Sequence, residues 1–94
     1  MKAIEEFVSE LNLKFPKTSA SRESFVFTAG KKFYKICRSR DGITADSAYA
    51  FVDKKTGDLF KSASWNAPAA HIRGNINDES GLAACHEYSV AYLR

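Results

Sequence analysis

The sequence predicts an α+β fold: an N-terminal helix packed on an antiparallel meander sheet of four to five strands, with short helices near the C-terminus. Three observations carry this expectation. Apolar residues recur at offsets of three and four near the start of the chain, β-branched and aromatic residues take over from Ser24, and Gly-containing breaks divide that stretch at hairpin spacing. The 94 residues suit one domain, 1–94, because a chain this size buries a single core and has too little apolar material for two. A hydrophobic content of 45%, with seven Phe and four Tyr, is that of a globular chain and not of a disordered one.

In the first segment Ile4, Phe7, Val8, Leu11 and Phe15 share one helical stripe, while Glu5, Glu6, Ser9 and Asn12 face water. Pro16 ends that helix, and the polar run "KTSASRES" connects it to the first strand. "SFVFTA" and "KKFYKICRSR" read as two strands around Ala29-Gly30, where a positive φ suits a tight hairpin. "AYAFVD" comes after a second break, and "DKKTGD" places Gly57 where a type I turn with a bulge needs a left-handed residue. The partner strand runs from about Asp58 to Ser64.

After Trp65, "NAPAAHIRG" predicts one or two helical turns, with Asn66 as cap, Pro68 in the first turn and Gly74 at a left-handed end. A second short helix is expected over residues 78–86, capped by Asn77 or Asp78, although Gly81 weakens it by roughly 1 kcal/mol. "EYSVAYLR" alternates as a fifth strand would, with helix continuation as the competing reading.

Charge and motifs narrow the chemistry. A net charge of +3 permits an anionic partner without the density of a dedicated duplex binder. Acidic residues interrupt the apolar ones after Met1, so the expectation is a soluble, unexported protein with no membrane span. Cys37 and Cys85 are expected as reduced thiols, with Cys85 buried beside an exposed His86, and with His71 and His86 they lack the close ligand spacing of a zinc site. Asp53 and Asp58 flank a hairpin turn and are expected to satisfy its backbone rather than to act as an acid–base pair. Phosphate-loop, GxSxG and HExxH patterns are missing, so no enzyme and no cofactor is predicted, and a hydrolase would have to work through His71 or His86.

The stretch "GDLFKSASWNAPAAHIRGNI" holds the remaining constellation. Trp65 offers a flat surface, Arg73 a forked donor and Asn75 an amide at a chain reversal, which together suit a planar, anionic ligand. Lys61 and His71 would add charge or hydrogen bonds, and a nest of backbone N–H groups at Arg73-Gly74-Asn75 would favour phosphate. The competing reading makes Trp65 a core anchor, Arg73 a carbonyl cap and Asn75 a turn residue. Lys31, Lys32, Lys35, Arg38 and Arg40 crowd one predicted strand, with Lys32, Arg38 and Arg40 on one face and Lys31 and Lys35 on the other, which reads as a solubilised edge. Tyr34 and Tyr49 are the aromatics expected to offer a stacking platform on an open sheet face.

"FVDKKTGDLFKSASWNAPAAHIRGNI", together with "YSVAYLR", resembles a family of small proteins encoded by tailed bacteriophages, over residues 49–94. Gly57, Asp58, Lys61, Trp65, Pro68, Arg73, Gly74 and Asn75 are the positions that carry the resemblance. It implies a phage accessory protein in the host bacterial cytoplasm, of the kind that acts against host defence. The residues and the resemblance together predict a non-enzymatic, self-associating module that binds a nucleotide or other phosphate-bearing ligand at Lys61, Trp65, His71, Arg73 and Asn75. The alternative is a protein inhibitor that places the same exposed groups against a host enzyme or defence protein.

Overall fold

A computed structural model of the chain describes residues 2–15 and 24–85. Helix α1, Ile4–Lys14, buries Ile4, Phe7, Val8 and Leu11, the stripe that the spacing predicts. Asn12 departs from expectation. Instead of facing water it reaches the first strand, donating to Phe25 O (3.0 Å) and accepting from Phe25 N (2.7 Å).

Four strands come next as a meander: β1 Ser24–Ala29, β2 Phe33–Ser39, β3 Ser47–Asp53 and β4 Asp58–Ser64. Cross-strand partners share a face. Phe27, Ile36 and Ala50 form one row, and Tyr34, Val52 and Leu59 another, on the side that α1 covers. Thr28, Lys35, Phe51 and Phe60 form a row on the opposite side. The register shifts opposite Ile36 and Cys37, where β3 inserts Tyr49 between Ala48 and Ala50. That extra residue brings the Tyr49 ring into the core, edge-on to Phe25 at 4.8 Å. Arg38 is buried there too, its guanidinium 5.4 Å from both rings.

Three sequence expectations are corrected here. β2 lies between β1 and β3, so its basic run is not an edge device. Gly30 has no positive φ, and the β1–β2 turn closes with Gly30 N donating to Phe33 O (2.9 Å). The helical turns expected after Trp65 are extended backbone. β5, Ala67–Pro68, and β6, Gly74–Asn75, both run antiparallel to β4 on the border away from β3. Between them Ala69 N donates to Lys61 O (2.7 Å) and Arg73 N to Leu59 O (2.8 Å), so the chain from Ala70 to Ile72 bows outward and exposes His71 and Ile72. His71 carries φ 77° in that bow. The border of β4 left these residues more hydrogen bonds as a strand than as a helical turn.

Helix α2, Glu79–Ala84, is capped by Asp78, which accepts from Ser80 N (2.8 Å). Gly81 and Gly74 let it touch the sheet: a Cβ on Gly74 would sit 2.5 Å from Ser80 O, and one on Gly81 2.5 Å from Asn75 O. The left-handed role expected of Gly74 is therefore replaced by close approach. Lys14 closes the far end of α2, donating to Leu82 O (2.8 Å) and Cys85 O (3.0 Å), where helix carbonyls lack partners. No helix among the described residues is long and apolar enough to cross a membrane. Pro16, residues 17–23 of the "KTSASRES" connector, His86 and the proposed fifth strand lie outside the described residues.

Candidate functional site

The residues that the sequence singles out divide between two places. Arg73 pairs with Leu59 near the start of β4, and Trp65 comes directly after Ser64 at its end. Six residues of strand separate the two, about 20 Å at 3.3 Å per residue. The structure does not bring the indole and the guanidinium together. Lys61 lies opposite Ala50, on the helix-covered side, and His71 is exposed in the outward bow.

Asn75 is built into the turn that the sequence reads most clearly. Its Nδ2 donates to Thr56 O (2.9 Å) and Asp58 Oδ1 (3.0 Å), while its Oδ1 accepts from Asn77 N (2.8 Å). Its backbone N–H donates to Ser80 Oγ (3.0 Å), and Asn77 Nδ2 also reaches Thr56 O (3.2 Å). The Ser80 hydroxyl in turn donates to Asp78. Gly57 supplies φ 80° beneath these amides, and any side chain there would strike Asn77. With Arg73 N and Asn75 N both in hydrogen bonds, the predicted anion nest does not form around them. The Arg73 guanidinium turns back on its own loop, toward His71 O (3.4 Å) and Ala70 O (3.5 Å). Asp53 and Asp58 serve the turn as predicted: Asp53 accepts from Lys55 N (2.8 Å) and Thr56 N (3.1 Å), and Asp58 from the Thr56 hydroxyl (2.8 Å). The bond from Lys55 N holds the Asp53 carboxyl below its ordinary range, against partial desolvation and with help from Thr56 and the Lys32 charge.

Trp65 belongs to a different surface. The Trp65–Asn66 turn folds over the sheet side opposite α1, where the Lys35 ammonium sits 3.9 Å from the indole centroid and donates to Asn66 Oδ1 (3.3 Å). The ring remains 45% exposed. Beside it opens a cleft of about 280 Å³, walled by Phe33, Lys35, Phe51 and Asn66 and closed at one end by the hairpin tip that carries Lys31 and Lys32. Phe33 stands edge-on to Phe51 (6.1 Å) and Phe60 (5.7 Å), so Phe60 braces the ring pair that lines the cleft. Lys32 lies over the Phe33 ring at 5.3 Å. Among the described residues Lys31, Lys32 and Lys35 make no ion pair, so their charge faces solvent and the cleft.

Sequence reasoning places the aromatic platform on Tyr34 and Tyr49, but both pack on the helix side. Phe33 and Phe51 line the cleft instead, with Phe60 packed edge-on against Phe33. Alternation of Phe33 and Lys35 along β2 is the available signal, since residues two apart share a face.

The cysteines take no part. Both are buried, and burial raises the Cys37 thiol, with Lys35 pulling weakly the other way. Burial pushes Cys85 up to about 11. Neither is a thiolate at neutral pH, the form a nucleophile needs. Among the described residues no three His, Cys, Asp or Glu side chains gather as a metal site requires.

A sequence profile described as a family of unknown function (DUF7717) matches residues 1–92. No curated protein and no solved structure matches the chain.

Proposed function

The chain belongs to the family of unknown function DUF7717, and for it we propose a non-enzymatic binding role: the aromatic cleft takes a planar, phosphate-bearing ligand of the nucleotide class. The observation that carries this reading is the pairing of the Phe33 and Phe51 rings in the cleft, braced by Phe60, with three lysines that make no ion pair among the described residues. Ring faces accept a base by stacking, and ammonium groups at the lip meet the phosphate. Lys35 is held by the indole and by Asn66, so its charge is positioned before a ligand arrives. The likeness to tailed-phage proteins extends the proposal to an accessory, anti-defence role in the cytoplasm of an infected bacterium.

Trp65 is the only tryptophan, so its fluorescence reports on the neighbouring cleft. Titration with nucleoside phosphates and short oligonucleotides should change that emission saturably. Lys35→Gln and Phe33→Leu should each weaken binding about tenfold, equivalent to about 1.4 kcal/mol. Arg73→Gln should leave it unchanged. The reading fails if no nucleotide-class ligand binds, or if Arg73→Gln abolishes binding while the two cleft variants do not. Saturable capture of one host protein with no nucleotide response would move the assignment to the inhibitor alternative.

A further inference from the structure

A second hollow adjoins the cleft. It measures about 360 Å³ and is lined by Lys31, Lys32, Asp53, Lys54 and Lys55. Lys31 and Lys32 border both hollows, which sets the two side by side around the end of the sheet. The reason is local. Lys54 N donates to Lys32 O (3.0 Å), which fixes the β3–β4 turn beside the β1–β2 turn so that two hairpin tips form a single rim. Asp53, the one carboxylate on that rim, is turned into its own turn by Lys55 N and Thr56 N and feels the Lys32 charge. Lys31, Lys32, Lys54 and Lys55 make no ion pair among the described residues. Lys32 and Lys54 rest on the rings of Phe33 and Tyr34, at 5.3 and 5.2 Å.

We infer that the occupant is a single-stranded oligonucleotide, with one base in the aromatic cleft and the sugar-phosphate chain running on across the lysine rim. The inference rests on the reading of the cleft given above and adds the class of ligand. One nucleotide satisfies the cleft, Lys35 and the shared pair Lys31 and Lys32, and leaves Lys54 and Lys55 without a role. A repeating anion engages all of them. Each hollow alone lies at the small end of ligand sites, roughly 300–1,000 Å³, whereas a chain crossing both uses their full run. A duplex does not fit the same logic, because the Phe33 and Phe51 rings line a recess that only an unpaired base can enter.

The test uses the full chain and three labelled probes: an oligothymidylate of about ten nucleotides, ATP, and a duplex of the same length. Anisotropy is read across a salt series. The oligothymidylate should bind at least tenfold more tightly than ATP or the duplex. Its log Kobs against log salt should fall with a slope of about −3.5 if the five lysines each neutralise a phosphate, at about 0.7 per contact on single strands. The double variant Lys54→Gln/Lys55→Gln should lower that slope by about 1.4 and leave ATP binding as it was. ATP or duplex binding as tight as the oligothymidylate, or a slope unmoved by the double variant, overturns the extended path while the cleft reading stands. Failure of all three probes overturns the cleft reading and this inference with it. Both substituted lysines lie on turn residues, and a thermal melt of the variant confirms that the fold is retained.

Discussion

Two parts of the molecule use their polar groups differently. Where β4, β6 and α2 meet, Thr56, Asp58, Asn75, Asn77, Asp78 and Ser80 bond to one another in a connected network. At the tips of the two hairpins, lysines stand over rings or in solvent and make no ion pair among the described residues. The first part holds the residues that look most unusual in sequence, and it is architecture. The second is assembled from lysine and phenylalanine, which look ordinary, and its ammonium groups make no ion pair among the described residues. A polar group already satisfied within the fold contributes to stability, while one left facing a cleft is available to a ligand.

Substitutions separate the two parts by what they damage, and the largest effect belongs at the junction. Gly81→Val would drive side-chain atoms into Asn75 O, and a stability loss of about 3 kcal/mol is expected in urea unfolding. Asn75→Ala removes two donated bonds and one accepted bond and should cost about 2–3 kcal/mol. Nucleotide binding by the folded fraction should survive both. Loss of binding with unchanged stability in Asn75→Ala would break the comparison by moving the site to the junction.

Cys85 gives a pH test of the packing between the sheet and the helices. Its thiol titrates at about 11 in the folded chain against 9.0 for an ordinary thiol. Between those values the folded state keeps a proton that the unfolded state releases. The contribution is therefore complete below pH 9 and lost as the pH rises toward 11, about 3 kcal/mol at 1.36 kcal/mol per unit. The readout is the pH dependence of urea midpoints in the parent minus that in Cys85→Ala. Equal dependence would show that Cys85 is not enclosed.

Lys14→Met should cost about 1 kcal/mol, because it strips the C-terminal carbonyls of α2 of a charged donor. The smallest effect is expected on the rim. Lys32→Gln should change stability by less than about 0.5 kcal/mol, as exposed substitutions do. A loss above about 1 kcal/mol there would make the rim structural and erase the distinction.

The sequence exposes the helix and four strands because their periodicities are set by burial, which Ile4, Phe7, Val8 and Leu11 or Phe27, Ile36, Ala50 and Val52 report directly. It misleads at "NAPAAHIRG", where Asn66, Pro68 and two alanines favour a helical turn by propensity. The unpaired border of β4 overrides that preference, and this partner lies outside the segment itself. The cleft is hidden for a similar reason. Lys31, Lys32 and Lys35 suggest an edge strand until β3 is known to flank β2, and Phe33 and Phe60 suggest core until their face is known to lie opposite α1. Asn75 stands out in the sequence because side chains that close a turn and side chains that grip a ligand use the same chemistry.

The tie between Lys14 and the last turn of α2 bears on how the chain is made. Lys2 N and Lys14 Nζ find their partners at Asn77, Leu82 and Cys85, some seventy positions downstream. While the ribosome has delivered only the four-stranded meander, the first helix lacks its final anchors. Synthesis from the N-terminus therefore leaves α1 waiting, and its lasting seat is taken only after residue 85 has cleared the exit tunnel.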